Sequence, residues 1–219
     1  LGFAGGWVST RTGGDYFSAQ NPGLTFTDSS ANDLPVAGNS ARRETAPSRA
    51  GASRMIFPDA RTALFADGST MWFSLLHQKT KDTEGAAFVI GTGTFDLSRA
   101  DFGDYSENGE GFGFGSDGDL VLTAIRYDDA TGLAVEDSSV SPATVKLIAG
   151  KIVWRANGSN DVLSLYNVTD LATEPTNPIA TLTADLDQSD FDRISFKSTR
   201  NTAVYDEIRL GASFEAVTS

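Results

Sequence analysis

Apolar residues along this chain recur in short runs with a period of two, and the runs are separated by clusters of Gly, Asn, Asp and Ser. That alternation is the mark of half-buried strands, because successive strand side chains point to opposite faces. It predicts strands at "MWFSLLHQK" (71–79), "AAFVIGTG" (86–93), "GFGFGS" (111–116), "DLVLTAIRY" (119–127), "VKLIAGKIVWRA" (145–156) and "DVLSLYNV" (161–168). "PIATLTAD" (178–185), "FDRISFKS" (191–198) and "AVYDEIRLG" (203–211) follow. The "NGSND" stretch (157–161) reads as the turn of a hairpin. No window sustains a 3.6-residue apolar stripe beyond two helical turns, and "LSRADFGDYSENGEG" has room for one turn. Residues 18–54 are polar and rich in breakers, with weak strands around "GLTFTD" and "LPVAG", and read as long surface loops pinned by short strands. No repeat or linker divides the chain, so one domain over 1–219 is expected. Turn signals every 8–12 residues or so indicate a sandwich or barrel. More than seven strands, and no Cys…Trp…Cys pattern, favour an all-β, two-sheet antiparallel jelly roll over an immunoglobulin-like sandwich.

One position offends the pattern. In "VYDEIRL", strict alternation puts Val204, Ile208 and Leu210 on one face and Tyr205, Glu207 and Arg209 on the other. Asp206 falls in phase with the apolar set. An unpaired buried carboxylate is costly, so Asp206 needs a cation, an arginine or a set of backbone N–H groups.

Composition narrows the function classes. The chain has 219 residues and a net charge of −12, which repels phosphate backbones and anionic membranes and argues against nucleic-acid binding. The same acidity suits Ca²⁺, an oxygen-seeking cation, as well as plain solubility. There is no cysteine, and a chain of this length can bury roughly 70% of its unfolded surface without disulfides. No run approaches the ~20 apolar residues of a membrane span. "LGFAGGWVSTRTGGDYF" has neither an initiator methionine nor the shape of a signal peptide, so the chain is expected to be part of a longer product.

"KIVWRANGSNDVLSLYNVTDLATEP", "FDRISFKS" and "YDEIRLGASFEAV" together resemble the laminin-G/concanavalin A-like jelly rolls of exported bacterial proteins. "RMIF", "MWFSLL" and "GFGFGSDGDLVL" stand at the matching earlier positions, and "GFAGGW" resembles the family's N-terminal glycine–aromatic stretch. The resemblance implies a two-sheet sandwich, an exported or cell-surface location in a bacterium, and a carbohydrate-binding or adhesive role. In that family a further strand precedes "GFAGGW"; without it, a sheet edge would lie open for self-association. The resemblance also implies that Asp206 helps hold a structural Ca²⁺. The alternative is that Asp206 caps backbone N–H groups or pairs with a buried Arg.

Three further sets of residues carry candidate chemistry. Asp104, Ser106, Asn108 and Gly109 stand at positions 1, 3, 5 and 6 of a calcium-loop pattern, but Gly115 replaces the Glu expected at position 12, and a solvated turn is the favoured reading of the fragment. A glycan surface needs aromatic planes beside amide or carboxylate partners. Trp72 and Trp154 lie in apolar strands and read as core. Trp7, Tyr16 and Tyr105 lie in Gly/Asp-rich loops, which makes Tyr105 with Asp104 and Asn108, and then Trp7, the candidate ligand set. Glycosidases of this fold class carry paired acids on one strand, and "YDEIRL" puts Asp206 and Glu207 on opposite faces. A lyase would have only His77, the sole histidine, which reads as the end of an apolar face. Without Cys and with one His, zinc and nucleophile–His systems lack material. Catalysis is therefore not expected. The leading expectation is a non-catalytic lectin-like or adhesive surface domain. The alternatives are a structural subunit of an extracellular layer or filament and a polysaccharide-degrading enzyme.

Overall fold

The computed structural model describes residues 3–9, 17–43, 49–81, 85–94, 109–116, 120–128, 131–199 and 203–219. Its strands are β1 (Phe3–Ser9), β2 (Phe17–Gln20), β3 (Ser40–Arg43), β4 (Arg49–Ile56), β5 (Thr70–Lys79), β6 (Ala86–Gly91) and β7 (Gly111–Ser116). Then come β8 (Thr123–Tyr127), β9 (Ala134–Asp137), β10 (Lys146–Val153), β11 (Asp161–Val168), β12 (Ala180–Ala184), β13 (Arg193–Thr199) and β14 (Ala203–Gly211). They form two seven-stranded sheets, β1-β4-β13-β6-β7-β8-β9 and β12-β11-β10-β5-β14-β3-β2, in which all pairings are antiparallel. This is the all-β, two-sheet antiparallel jelly-roll sandwich that strand number and turn spacing predict. Nine of these strands coincide closely with the alternating runs.

The core between the sheets is aromatic. Phe88, Phe112, Phe114 and Phe196 from the first sheet meet Phe73, Trp154 and Tyr205 from the second, and all are essentially inaccessible to water. Phe73 packs on Phe88 with ring centroids 5.5 Å apart, and Trp154 meets Phe191 edge-on at 5.4 Å. One glycine makes room for this packing, and a second, on the outer face of the first sheet, lets β6 and β7 approach. Gly150 of β10 lies opposite Phe73 of β5, and a Cβ there would fall on the Phe73 ring. Gly113 of β7 lies opposite Val89, and a Cβ there would meet the Phe88 carbonyl and Val89 Cα.

The second sheet is covered on its outer face as well. Leu24, Phe26 and Leu34 from the 21–38 loop, with Phe214 and Val217 from the C-terminal turn, pack on Trp72, Leu76, Leu147, Ala149, Tyr166 and Val168. This layer makes the second sheet apolar on both faces. Trp72 and Trp154 are thus both buried, as their strand context predicts, but on opposite faces of one sheet. The loop itself contains only the isolated bridge Thr27–Asp33, so the expected strands around "GLTFTD" and "LPVAG" are absent. Strands β1 to β4, and β9, appear where alternation gave no signal. A two-turn helix α1 (Pro58–Leu64), opened by Pro at its first position, links β4 to β5.

Candidate functional site

Asp206 does not share a face with Ile208 and Leu210. Asp206 pairs with Leu76 and Arg209 with Ser74, so β14 carries one extra residue between them, and Glu207 has φ +49°. This bulge reverses the alternation. Before it, Ala203 and Tyr205 face the inter-sheet core; after it, Ile208 and Leu210 do. Asp206 therefore lies on the outer face, beneath the 21–38 loop. Its Oδ2 accepts from Leu24 N–H at 2.6 Å and its Oδ1 from Glu207 N–H at 2.9 Å. Burial pushes its pKa up, against the pull of those two N–H groups. Of the partners the sequence allowed, the structure supplies backbone N–H groups.

The bulge serves the same loop through its other side chains. Glu207 Oε1 accepts from Ala37 N–H at 2.6 Å, and Arg209 joins Glu207 Oε2 (3.3 Å), the Ser219 carbonyl (3.0 Å) and the Pro35 carbonyl. At the far end of the loop, Asp28 accepts from the N–H groups of Ser30, Asn32 and Leu171 at 2.8–3.0 Å. The Leu171 bond is the main reason its pKa falls to about 2. The small recess beside Asp206, lined by Asn21, Gly23, Thr25, Val36 and Gly38, has a volume near 170 Å³. Among the described residues no three His, Cys, Asp or Glu side chains converge as metal ligands.

His77 lies in the core. It is 1% exposed, stacks on Tyr205 at 4.9 Å and meets Phe114 edge-on at 5.4 Å. Its Nδ1 lies 3.2 Å from the Val204 carbonyl, and burial depresses its pKa to about 3. A ring in this position reaches no substrate, which removes the lyase base.

Two of the clefts lined by described residues are wider than the Asp206 recess. One, near 430 Å³, lies along α1 between Arg61, Phe65, Ala66 and Ser189, and Arg61 is committed there to the carbonyls of Phe191 and Ser189. The other, near 350 Å³, opens between the end of β11 and the loop that leads to β12. Asn167, Thr169, Asp170, Thr173, Glu174 and Asn177 line it, so amide, hydroxyl and carboxylate groups surround one open hollow. Its loop is held from both sides. Asp170 Oδ1 accepts from Ala172 N–H at 2.8 Å, and Thr169 and Leu171 bond to the Asp28 turn. Glu174 pairs with Lys151 at 2.8 Å, and Lys151 Nζ sits 5.2 Å over the Trp72 ring. Sequence reasoning did not reach this site. Its residues are polar loop positions with no diagnostic spacing.

The chain is similar to solved lectin-like sandwiches at low identity. A legume lectin-like domain from Entamoeba histolytica shares 10% identity over 85% of this chain and 88% of that one, with a TM-score of 0.47. The binding domain of botulinum neurotoxin serotype C1 shares 10% over 91% of this chain, with a TM-score of 0.46. This chain spans about half the length of that toxin domain, 49%. The Caenorhabditis elegans galectin LEC-6 shares 7% over 66% of this chain and 86% of that one, with a TM-score of 0.39. No family model and no curated protein matches the chain. At these scores no residue role passes from those proteins to this one, and the site rests on its own geometry.

Of the residues nominated from sequence, Asp206 is placed as described above. Asp104, Tyr105, Ser106 and Asn108 lie outside the described residues, as does the side chain of Trp7. No helix among the described residues is long and apolar enough to cross a membrane.

Proposed function

We propose that this chain is a non-catalytic, lectin-like domain that binds glycan through the β11–β12 cleft, at the bacterial cell surface or in secreted form. The observation that carries the reading is the cleft itself. Amide, hydroxyl and carboxylate side chains line a hollow near 350 Å³ on a loop tied to a rigid sandwich. That volume falls in the range of small-ligand sites, and those groups are the hydrogen-bond partners that sugar hydroxyls require. The resemblance to laminin-G/concanavalin A-like domains points the same way. Tyr105 with Asp104 and Asn108, and Trp7, form a second contact set within this reading. A structural Ca²⁺ at Asp206, or at Asp104, Ser106 and Asn108, also belongs to it.

The test is thermal melting against a panel of neutral and acidic oligosaccharides, with product analysis of the same mixtures. The reading expects at least one oligosaccharide to raise the melting temperature, since a ligand of the folded state stabilises it. It expects no release of reducing ends or unsaturated uronates. Asn167→Ala combined with Asn177→Ala should weaken binding about tenfold or more, the worth of two lost hydrogen bonds. Stabilisation that is equal in the double variant would remove the cleft from the reading.

A second reading, a structural subunit of an extracellular layer or filament, draws on β1. Among the described strands β1 pairs only with β4, and "FAGGWVS" lacks the Lys, Pro and charges that blunt sheet edges. Large assemblies by light scattering, dissociated by a charge placed in β1, would favour it over the lectin reading.

A further inference from the structure

The turn joining β10 to β11 carries chemistry that glycan binding leaves unused. Ser159 N–H donates to the Ala156 carbonyl at 3.0 Å, closing a four-residue turn around Asn157 and Gly158. Gly158 has φ +93°, the left-handed conformation that the third position of a type II turn demands. All four residues are exposed. An exposed Asn-Gly pair is chemically labile. The Gly nitrogen, once deprotonated, attacks the Asn side-chain carbon. A new N–Cγ bond closes a succinimide ring, the Cγ–Nδ2 bond breaks, and Nδ2 takes up a proton and leaves as ammonia. Water then opens the ring at one carbonyl or the other, giving aspartate or isoaspartate.

In this fold the nucleophile is engaged. Gly158 N–H donates to the Asp185 carboxylate, 2.8 Å from Oδ1 and 3.0 Å from Oδ2. Asp185 directly follows β12, so this contact exists only when β12 is docked on β11. The Asn157 side chain is engaged as well, by Asp187. The residue before the turn is fixed as well: Arg155 N–H donates to Asp161 at 2.7 Å, and the Arg155 carbonyl accepts from Gln188 at 3.1 Å.

We propose that Asn157-Gly158 is a latent deamidation site held shut by Asp185. An amide anion at Gly158 would stand against a carboxylate within hydrogen-bond distance, and like charges that close oppose its formation. The same bond fixes the Gly158 N–H toward Asp185. Deamidation at this turn therefore reports opening of the β11–β12 end, and its product adds a negative charge beside Asp185 and Asp187.

The experiment incubates the whole chain, its Asp185→Ala and Asp185→Asn variants, and a synthetic peptide of residues 152–162 in mildly alkaline buffer. Conversion at Asn157 is followed by fragment mass spectrometry of the tryptic peptide 156–193, which is separate from the peptide holding Asn108-Gly109. Near-ultraviolet circular dichroism checks that each variant is folded. The expected result is that the chain converts about tenfold more slowly than the peptide, the change that one pKa unit at the nucleophile makes, and that Asp185→Ala removes most of that protection. Asp185→Asn keeps an acceptor without the charge, should also convert faster than the chain, and decides the matter if Asp185→Ala does not fold. A chain that converts as fast as the peptide would overturn the proposal, as would folded variants no faster than the chain.

Discussion

Asp206 shows how much one backbone irregularity changes the meaning of a residue. Alternation read it as a carboxylate on a core face; the bulge at Glu207 moves it to the outer face, where Leu24 N–H meets it at 2.6 Å. Its burial and its need for a partner were legible in the sequence, but the side of the sheet was not, because nothing in "YDEIRL" signals an extra residue. Asp206→Ala leaves Leu24 N–H unpartnered and should cost about 1–3 kcal/mol. Hydrogen exchange should then rise across 21–38 before it rises in β5 or β10. His77 makes a prediction of opposite kind. Its pKa of about 3 lies below the ordinary 6.5, so between these values the unfolded chain takes up a proton that the folded chain refuses. The contribution of this residue therefore falls as the pH drops below 6.5, by about 2 kcal/mol between pH 7 and pH 5. Denaturation of His77→Phe across the same interval should lack that slope. Asp28 does not confuse the window. Its lowered pKa gives stability that is present above 3.8 and is lost only as the pH falls toward about 2.

At the scale of elements, alternation found the strands whose inward residues are large. β5, β7, β10, β11 and β14 each place Phe, Trp, Leu, Ile or Tyr in phase, and each was legible. β4 was not, because the residues that "RAGASRMI" buries at Ala50 and Ala52 are too small to give an apolar signal. β9, "AVED", is a short edge strand with both its acids exposed, and β1 has two glycines in its centre. In all three the pairing partner, not the local sequence, makes the strand. The converse case is Gly150, a glycine inside a central strand, which weakens a strand unless something packs over it. Phe73 does so. Gly150→Ala should displace that ring and cost about 1–3 kcal/mol as overpacking. Urea unfolding should show a lower midpoint with an unchanged slope, which marks lost stability without altered compactness.

At the scale of the whole molecule, the sandwich places its two kinds of loop differently. The 21–38 loop and the C-terminal turn are consumed as a third layer over the second sheet, whereas the β11–β12 loop is braced at its base and open at its tip. The fold class was legible because it follows from strand number and turn spacing. The cleft was not, because its Asn, Thr and Asp residues come together only when Asp28 ties the early loop to residues 169–171. If a structural Ca²⁺ is held at Asp206, chelator should lower the melting temperature of the chain, and Asp206→Asn should abolish the difference. An indifferent melting temperature would leave Asp206 to its backbone partners alone. The most direct test of the glycan reading is backbone amide chemical-shift mapping, with the oligosaccharide that most raises the melting temperature titrated into the labelled chain. The reading predicts saturable shifts concentrated at residues 167–177 that disappear in the Asn167→Ala, Asn177→Ala variant. Shifts confined to other loops, with 167–177 unmoved at saturation, would contradict it.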